Sequence, residues 1–400
     1  MAQTVLPPTA LARTSGEASN GQAKRRLYFP QIDGLRFLAF FLVLVHHFND
    51  ISTYAPDAPV TPFISTVHNF GWVGVDLFLV ISSFLIFSLL FAERDKNGSI
   101  SIKNFYVRRA LRIWPLYFAF VILVLLFARS LMPAPAPYYE NIQLHQALPY
   151  LTFLGNFSYA YFPGSVSNVM SHLWTVSLEE QFYFVVPLAV FFLSDVLRRR
   201  IVPITIGLIV FSSIWRYYMW AAPVPYPMVW VNPITRTDPF ILGALCAIVV
   251  QKRPVWLNPL LGGLLAVAGC AGFYLVAQFP QIGSSEHTIW QLAVVPLSAA
   301  CIVLAAVTVP YIKNAFAWGP LPFLGKISYG LYVYHLFAMT FAPRFVVPET
   351  FLGKNLLSWF LALLAVLILN IALAAPSYLL YERPFLRWKE RFEAIRSRPA

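Results

Sequence analysis

Charge is what this chain has least of. Asp, Glu, Lys and Arg make up 12% of its 400 residues, against about 25% in an ordinary soluble domain. Acidic residues are the scarcer sign, 17 against 29 Lys and Arg, while hydrophobic residues reach 58% and aromatics 16%. Such a composition cannot cover a water-exposed globule, which excludes a soluble enzyme and a soluble nucleic-acid-binding domain. The net charge of +12 reads instead as basic residues held in short cytoplasmic loops. Cysteine is nearly missing. Cys246, Cys270 and Cys301 lie inside apolar runs with no CxxC spacing. That leaves small packing residues and supports neither a disulfide framework nor a zinc site. The first 23 residues lack an apolar h-region and are rich in Ala, Thr, Ser and Pro. They read as a disordered cytoplasmic tail, not a cleavable signal peptide. No internal repeat of the kind many transporters show is visible, and no soluble catalytic domain.

What is there is a series of apolar stretches of about 20 residues, the length that spans a bilayer as helix. They fall at 32–49, 70–91, 111–128, 173–193, 201–219, 234–250, 258–278, 289–309, 327–343 and 357–380. The expectation is an all-α polytopic membrane protein, a bundle of about ten transmembrane helices. Alternating the segments between the two sides places 23 Lys and Arg inside and five outside, with Arg36 within the first helix. Lys and Arg favour the cytoplasmic side, so both termini are expected there. The organisation reads as a tail over 1–26, a transmembrane domain over 27–390 and a tail over 391–400. The longest outer connection, about 129–172, starts with MPAPAP, which cannot be helical. Its apolar piece 147–157 is too short to span. It lies in the interface, dips into the bilayer, or packs on the outer helix ends.

The apolar stretches carry ionisable groups. Each costs roughly 2.5 to 3.5 kcal/mol near a bilayer centre on insertion scales, so few persist without a role. Residues 28–49 read YFPQIDGLRFLAFFLVLVHHFN. Arg36 and His47 are eleven residues apart, about 16 Å along a helix and close to three full turns. Asp33, Arg36 and His47 therefore share one stripe, and His46 falls off it. A structural pair of snorkelling or hydrogen-bonded side chains is the competing reading. Residues 171–183, SHLWTVSLEEQFY, bring His172, Ser177 and the adjacent carboxylates Glu179 and Glu180. Two ionised carboxylates in lipid must meet a cation, a base or water. Asp76 and Ser82 sit within GWVGVDLFLVISSFLI, and Arg236 and Asp238 within TRTDPFILGAL. A mutual salt bridge or a helix N-cap explains that last pair nearly as well as a site does. Ser328 and His335 belong to SYGLYVYH. Arg108, Arg109 and Arg112 cluster in FYVRRALRIWP, two of them on a shared face. Guanidinium groups bind phosphate in bidentate fashion, so with Arg36 these form a cationic funnel on the inner side.

These segments resemble the acyltransferase-3 family of membrane O-acyltransferases. IDGLRFLAFFLVLVHHF is similar to its first-helix signature, with Arg36 and His47 on the Arg-X10-His motif. GWVGVDLFLVISSFLI is similar to its second-helix motif, with Ser83 where glycine is usual. FYVRRALRIWPLY, HLWTVSLEEQFYFVVP, TRTDPFILGAL and ISYGLYVYHLF match later motifs in order. The likeness runs over about 28–390 and is closest to stand-alone members without a fused extracytoplasmic domain.

The resemblance implies transfer of an acyl group, usually acetyl, from cytoplasmic acyl-CoA to a hydroxyl on an extracytoplasmic glycan or glycolipid. It places the protein in the bacterial inner membrane, with acyl-CoA as co-substrate and no metal. In this expectation Arg36, Arg108, Arg109 and Arg112 bind the CoA phosphates. His47 is general base or transient acyl carrier, and Glu179 or Glu180 orients it. Asp33, Asp76, Ser82, His172, Arg236, Asp238, Ser328 and His335 support the site. Two rivals remain: a transporter or flippase for a lipid-linked sugar or acyl donor, and a non-catalytic membrane sensor.

Overall fold

The computed structural model describes residues 27–131, 144–162, 169–222, 224–252, 258–279, 286–342 and 352–395. The expected N-terminal tail, the MPAPAP segment and residues 396–400 lie outside the described residues. Among those described there is no strand. In chain order come α1 (Pro30–His47), α2 (Thr61–Phe70), α3 (Val73–Asn97), α4 (Ile102–Leu131) and the short α5 (Leu144–Leu151) and α6 (Gly155–Tyr161). Then follow α7 (Trp174–Ala221), α8 (Tyr226–Val231), α9 (Asp238–Lys252), α10 (Pro259–Ala277) and α11 (His287–Thr308). The chain closes with α12 (Pro310–Phe316), α13 (Leu321–Lys326), α14 (Ser328–Phe341), α15 (Leu356–Pro376) and α16 (Arg383–Lys389).

The protein is a multi-pass integral membrane protein. Among the described residues seven helical stretches are long and apolar enough to cross a membrane, and each of the ten stretches read from the sequence overlaps a helix. The numbers differ for two reasons. The stretches 173–193 and 201–219 join in α7, within a helical stretch of 51 residues whose backbone leaves helical geometry at Arg200 (φ −117°, ψ 19°). α9 and α14, at 15 and 14 residues, fall short of the about 20 that a spanning helix needs. Large apolar side chains such as Phe184, Phe192, Leu260 and Leu380 stand exposed on the bundle's outside, the surface that lipid rather than water covers.

α3 lies at the centre, packed by α1, α7, α9 and α11. Its crossing with α9 is close because Gly243 has no side chain. A Cβ there would meet the Val80 carbonyl at 2.6 Å and the Phe84 amide nitrogen at 2.8 Å. Ser83, the residue that departs from the family pattern, sits at this crossing and donates to the Phe240 carbonyl at 2.5 Å. The tight contact is kept by a glycine on the partner helix.

The piece 147–157 packs into the protein. Tyr150 and Asn156 are fully buried, and Asn156 donates to the Val231 carbonyl at 3.1 Å. Gln181 on α7 donates to the Phe153 carbonyl at 2.8 Å and to Asn156 at 2.9 Å. Phe153 adopts a positive φ of 56°, and its ring packs 4.8 Å from Tyr117 on α4. These bonds satisfy backbone that a bilayer would leave unpaired.

Candidate active site

Proline in the first turn starts α1 and sets Asp33 and Arg36 on one face three residues apart. Both line a cavity of about 870 Å³. Arg109 and Arg112 reach it from α4, Glu179 and Tyr183 from α7, and Lys389 from α16. Arg108 points about 100° away from Arg109 on the same helix and is not among the lining residues. It pairs with Glu93 at 3.0 Å and donates to the Phe392 carbonyl at 2.7 Å. Of Arg108, Arg109 and Arg112, two thus face the cavity, spaced i, i+3, and the third ties α3 to the C-terminal segment.

The adjacent carboxylates separate in the same way. Glu179 faces the cavity, with Arg36 as its strongest counter-charge and the Ser82 and Tyr183 hydroxyls on its carboxyl. Those two hydroxyls are 2.6 Å apart. Glu180 turns to α4 and accepts from the Trp114 indole at 3.0 Å. Neither carboxylate is in hydrogen-bond contact with His47, so orientation of His47 by a carboxylate is not what the structure provides. The ring is oriented by its own helix, through Nδ1 at 2.9 Å from the Val43 carbonyl.

A second cavity, about 470 Å³, shares Arg36, Ser82, Glu179 and Tyr329 with the first. It continues between Thr175, Ser328 and Tyr332. The Tyr332 hydroxyl accepts from Thr175 at 2.8 Å and donates to the His172 carbonyl at 3.1 Å. Next to Tyr332 the histidines begin. The ring of His172 lies 5.3 Å from Tyr332 and 4.7 Å from His335, and His335 lies 5.1 Å from His47. His172 and His335 are buried, and His47 is exposed at the end of α1. His46 leaves this line and bonds the His68 carbonyl at 2.8 Å. One helix thus carries a cationic cavity near one end and an open histidine at the other.

A family model for an acyltransferase domain, that of the acyltransferase-3 family, matches residues 29–375. The chain belongs to this acyltransferase family. A peptidoglycan O-acetyltransferase, OatA, of Listeria monocytogenes is 26% identical over 326 residues, 78% of this chain and 49% of that protein. A putative O-acetyltransferase of Staphylococcus aureus strain COL is 25% identical over 390 residues, 94% of this chain and 60% of that one. The O-acetyltransferase OatA of Staphylococcus aureus strain NCTC 8325 is 26% identical over 336 residues, covering 80% and 52%. The chain therefore spans about half to three-fifths of the curated relatives it matches. No solved structure matches it.

Among the polar residues picked out in this family member, Asp76, Arg236 and Asp238 line neither cavity. Arg236 and Asp238 do not pair with each other. Arg236 bonds Asp76 on α3 at 2.9 Å, and Asp238 bonds Arg216 on α7 at 2.6 Å. All four side chains are fully buried. Arg216 also donates to the Thr235 carbonyl at 2.9 and 2.7 Å, Ser212 bonds Asp238, and Arg236 stacks 4.7 Å from the Trp230 ring. The network joins α3, α7 and α9 at their polar ends.

Two further groups, Glu382 and Lys389, lie past the last expected span, which ends at Leu380. The chain runs through one π-helical turn, Ser377–Glu382, into α16, which packs on α4. This turn buries Glu382 within electrostatic reach of Arg112 and returns Lys389 to the cavity wall. Lys389 is paired with Glu393 at 2.9 Å. The visible signal was the lone carboxylate in the apolar run SYLLYE, and π-turns often mark functional sites.

Proposed function

We propose that this chain is a membrane O-acyltransferase that moves an acyl group, acetyl by preference, from cytoplasmic acyl-CoA to a hydroxyl of an extracytoplasmic glycan or glycolipid. The observation that carries this reading is the pair of adjoining cavities along α1, with Arg36, Arg109, Arg112 and Lys389 in the larger one and the exposed His47 beyond the smaller. The cations suit the phosphates of coenzyme A, which guanidinium forks bind through paired hydrogen bonds. The arginine end corresponds to the basic, cytoplasmic side read from the loops. The relatives' names, O-acetyltransferases and a peptidoglycan O-acetyltransferase, favour acetyl and a glycan.

The chemistry follows from one tautomer. A carbonyl only accepts, so the hydrogen between His47 Nδ1 and the Val43 oxygen belongs to the ring, and Nε2 of the neutral imidazole is bare. Nε2 takes the proton from the acceptor hydroxyl as the oxygen attacks the thioester carbonyl. The new C–O bond forms, the C–S bond breaks, and the proton ends on the CoA sulfur. Glu179 holds Arg36 at the junction of the cavities, a role on the donor and not on His47.

The test is transfer from radiolabelled acetyl-CoA in membranes containing the chain, read as CoA thiol release and base-labile acetate on glycan. A positioned general base is worth about 10²- to 10⁴-fold. His47→Ala should lower transfer by that order while His46→Ala, on the other face, leaves it near wild type. Wild-type transfer by inserted His47→Ala would remove the proposed base, and transport of a substrate without thiol release would favour a carrier.

A further inference from the structure

His172 and His335 are buried side by side, and each has one nitrogen committed and one bare. His335 Nδ1 lies 2.6 Å from the Tyr332 carbonyl, and His172 Nε2 lies 3.2 Å from the Val333 carbonyl. Carbonyl oxygens cannot donate, so those two nitrogens carry the hydrogens of the neutral rings. The remaining nitrogens, His335 Nε2 and His172 Nδ1, are acceptors, and both are buried without a hydrogen-bond partner among the described residues. Their ring centroids are 4.7 Å apart. Buried acceptors are almost always satisfied, and here two bare acceptor nitrogens belong to neighbouring rings. Tyr332 is the neighbouring titratable group, 5.3 and 5.4 Å from the two rings. Phe40 and Phe120 pack at their edges, each 6.4 Å from one ring. His47 lies on the remaining side, 5.1 Å from His335.

We infer that His335 and His172 form a proton-holding pair behind His47. The inference rests on the acyl-transfer reading above and adds where the proton waits. His47 removes it from the acceptor hydroxyl at the exposed end, whereas the thiolate forms on a donor that enters from the arginine cavity. Between those events the proton passes from His47 Nε2 to His335 Nε2, directly or through one water. One N–H bond breaks, leaving its pair on His47 Nε2, and one forms from the His335 Nε2 lone pair, with no change of oxidation state. The His335 imidazolium keeps Nδ1–H on the Tyr332 carbonyl and donates its new N–H to His172 Nδ1. Return of the proton through His47 to the sulfur completes the cycle. Both residues act through His47 and position its proton.

Two substitutions remove the bare nitrogen and keep the structural bond. His335→Asn retains an N–H at the Nδ1 position for the Tyr332 carbonyl, and His172→Gln retains one at the Nε2 position for the Val333 carbonyl. The full chain in lipid nanodiscs is assayed for thiol release from acetyl-CoA with chitopentaose as the soluble acceptor, in H2O and D2O mixtures. Wild type should give a curved proton inventory. Each variant should lose about tenfold or more in kcat, keep the KM for acetyl-CoA within about twofold, and give a linear inventory. If one variant fails to insert, the other carries the test. A variant with wild-type kcat, or with a lowered kcat and an unchanged curved inventory, overturns the pair. A wild-type protein that releases no CoA overturns the acyl-transfer reading itself, and the pair with it.

Discussion

Asp76 and Arg236 stand in motifs that the family likeness marks as functional, yet the structure gives them to each other, fully buried and 2.9 Å apart. Replacing Asp76 by leucine separates the two meanings. At 2.9 Å and an effective dielectric of about 20, the pair attracts by about 6 kcal/mol. Desolvation of both charges offsets most of that. The offset is incomplete in one respect: Asp76 Oδ1 and Arg236 Nε and Nη1 have no hydrogen-bond partner among the described residues. Asp76→Leu alone leaves a guanidinium buried without its counter-charge and should destabilise the fold by about 3 to 5 kcal/mol. Asp76→Leu with Arg236→Met removes both charges. Methionine keeps a favourable sulfur contact for the Trp230 ring that now stacks on Arg236. The double variant should recover most of the loss, because buried pairs replaced by apolar residues of similar volume are often neutral or better. Unfolding in mixed micelles with increasing SDS, followed by circular dichroism, measures all three differences. Thiol release from acetyl-CoA is measured on the same samples. A structural tie requires the double variant to be stable and active. A double variant that is stable but as inactive as His47→Ala would show that the pair serves the reaction, and Asp76→Leu as stable as wild type would refute the energetic reasoning.

Two further outcomes follow from close geometry. Gly243→Ala should lose about 1 to 3 kcal/mol, because its Cβ would press on the Val80 carbonyl and the Phe84 amide, which are backbone and cannot swing aside. Adding Ser83→Gly should recover only part, as the backbone contacts remain; equal stability of Gly243→Ala and wild type in the same micelle titration would contradict this close crossing. The α4 arginines should divide by phase. Arg112→Lys, which replaces a planar fork by a point charge, should raise the KM for acetyl-CoA by about tenfold. Arg108→Lys should leave KM near wild type and lower stability, since Arg108 serves Glu93 and the Phe392 carbonyl. Steady-state kinetics with acetyl-CoA as the varied substrate distinguishes them, and a raised KM for Arg108→Lys alone would reverse the assignment.

What was legible in the sequence follows from which interactions are local. Helix phase along α1 needs only the chain itself, and it separates His47 from His46 without knowledge of any neighbour; in the structure the two rings indeed turn to different partners. Phase alone does not say which face turns inward once two polar residues are adjacent. Glu179 and Glu180 are about 100° apart, and the choice between them is made by Trp114 on α4, 66 positions away. Arg108 and Arg109 are resolved the same way, by Glu93 on α3. Arg236 and Asp238 look like a pair because they are close in sequence. Arg236 lies in the turn before α9 and Asp238 opens that helix, and their true partners sit on α3 and α7, at separations of 160 and 22 residues. The C-terminal groups were hidden for a different reason. The π-turn at Ser377–Glu382 changes the helical phase, so a period of 3.6 carried past Leu380 points Glu382 and Lys389 in the wrong directions. The polar residues of a membrane bundle are therefore readable as costly one at a time, but their pairing is decided across helices. That is why the arginine cavity gains Lys389 and loses Arg108, and why Arg36 rather than His47 stands against Glu179.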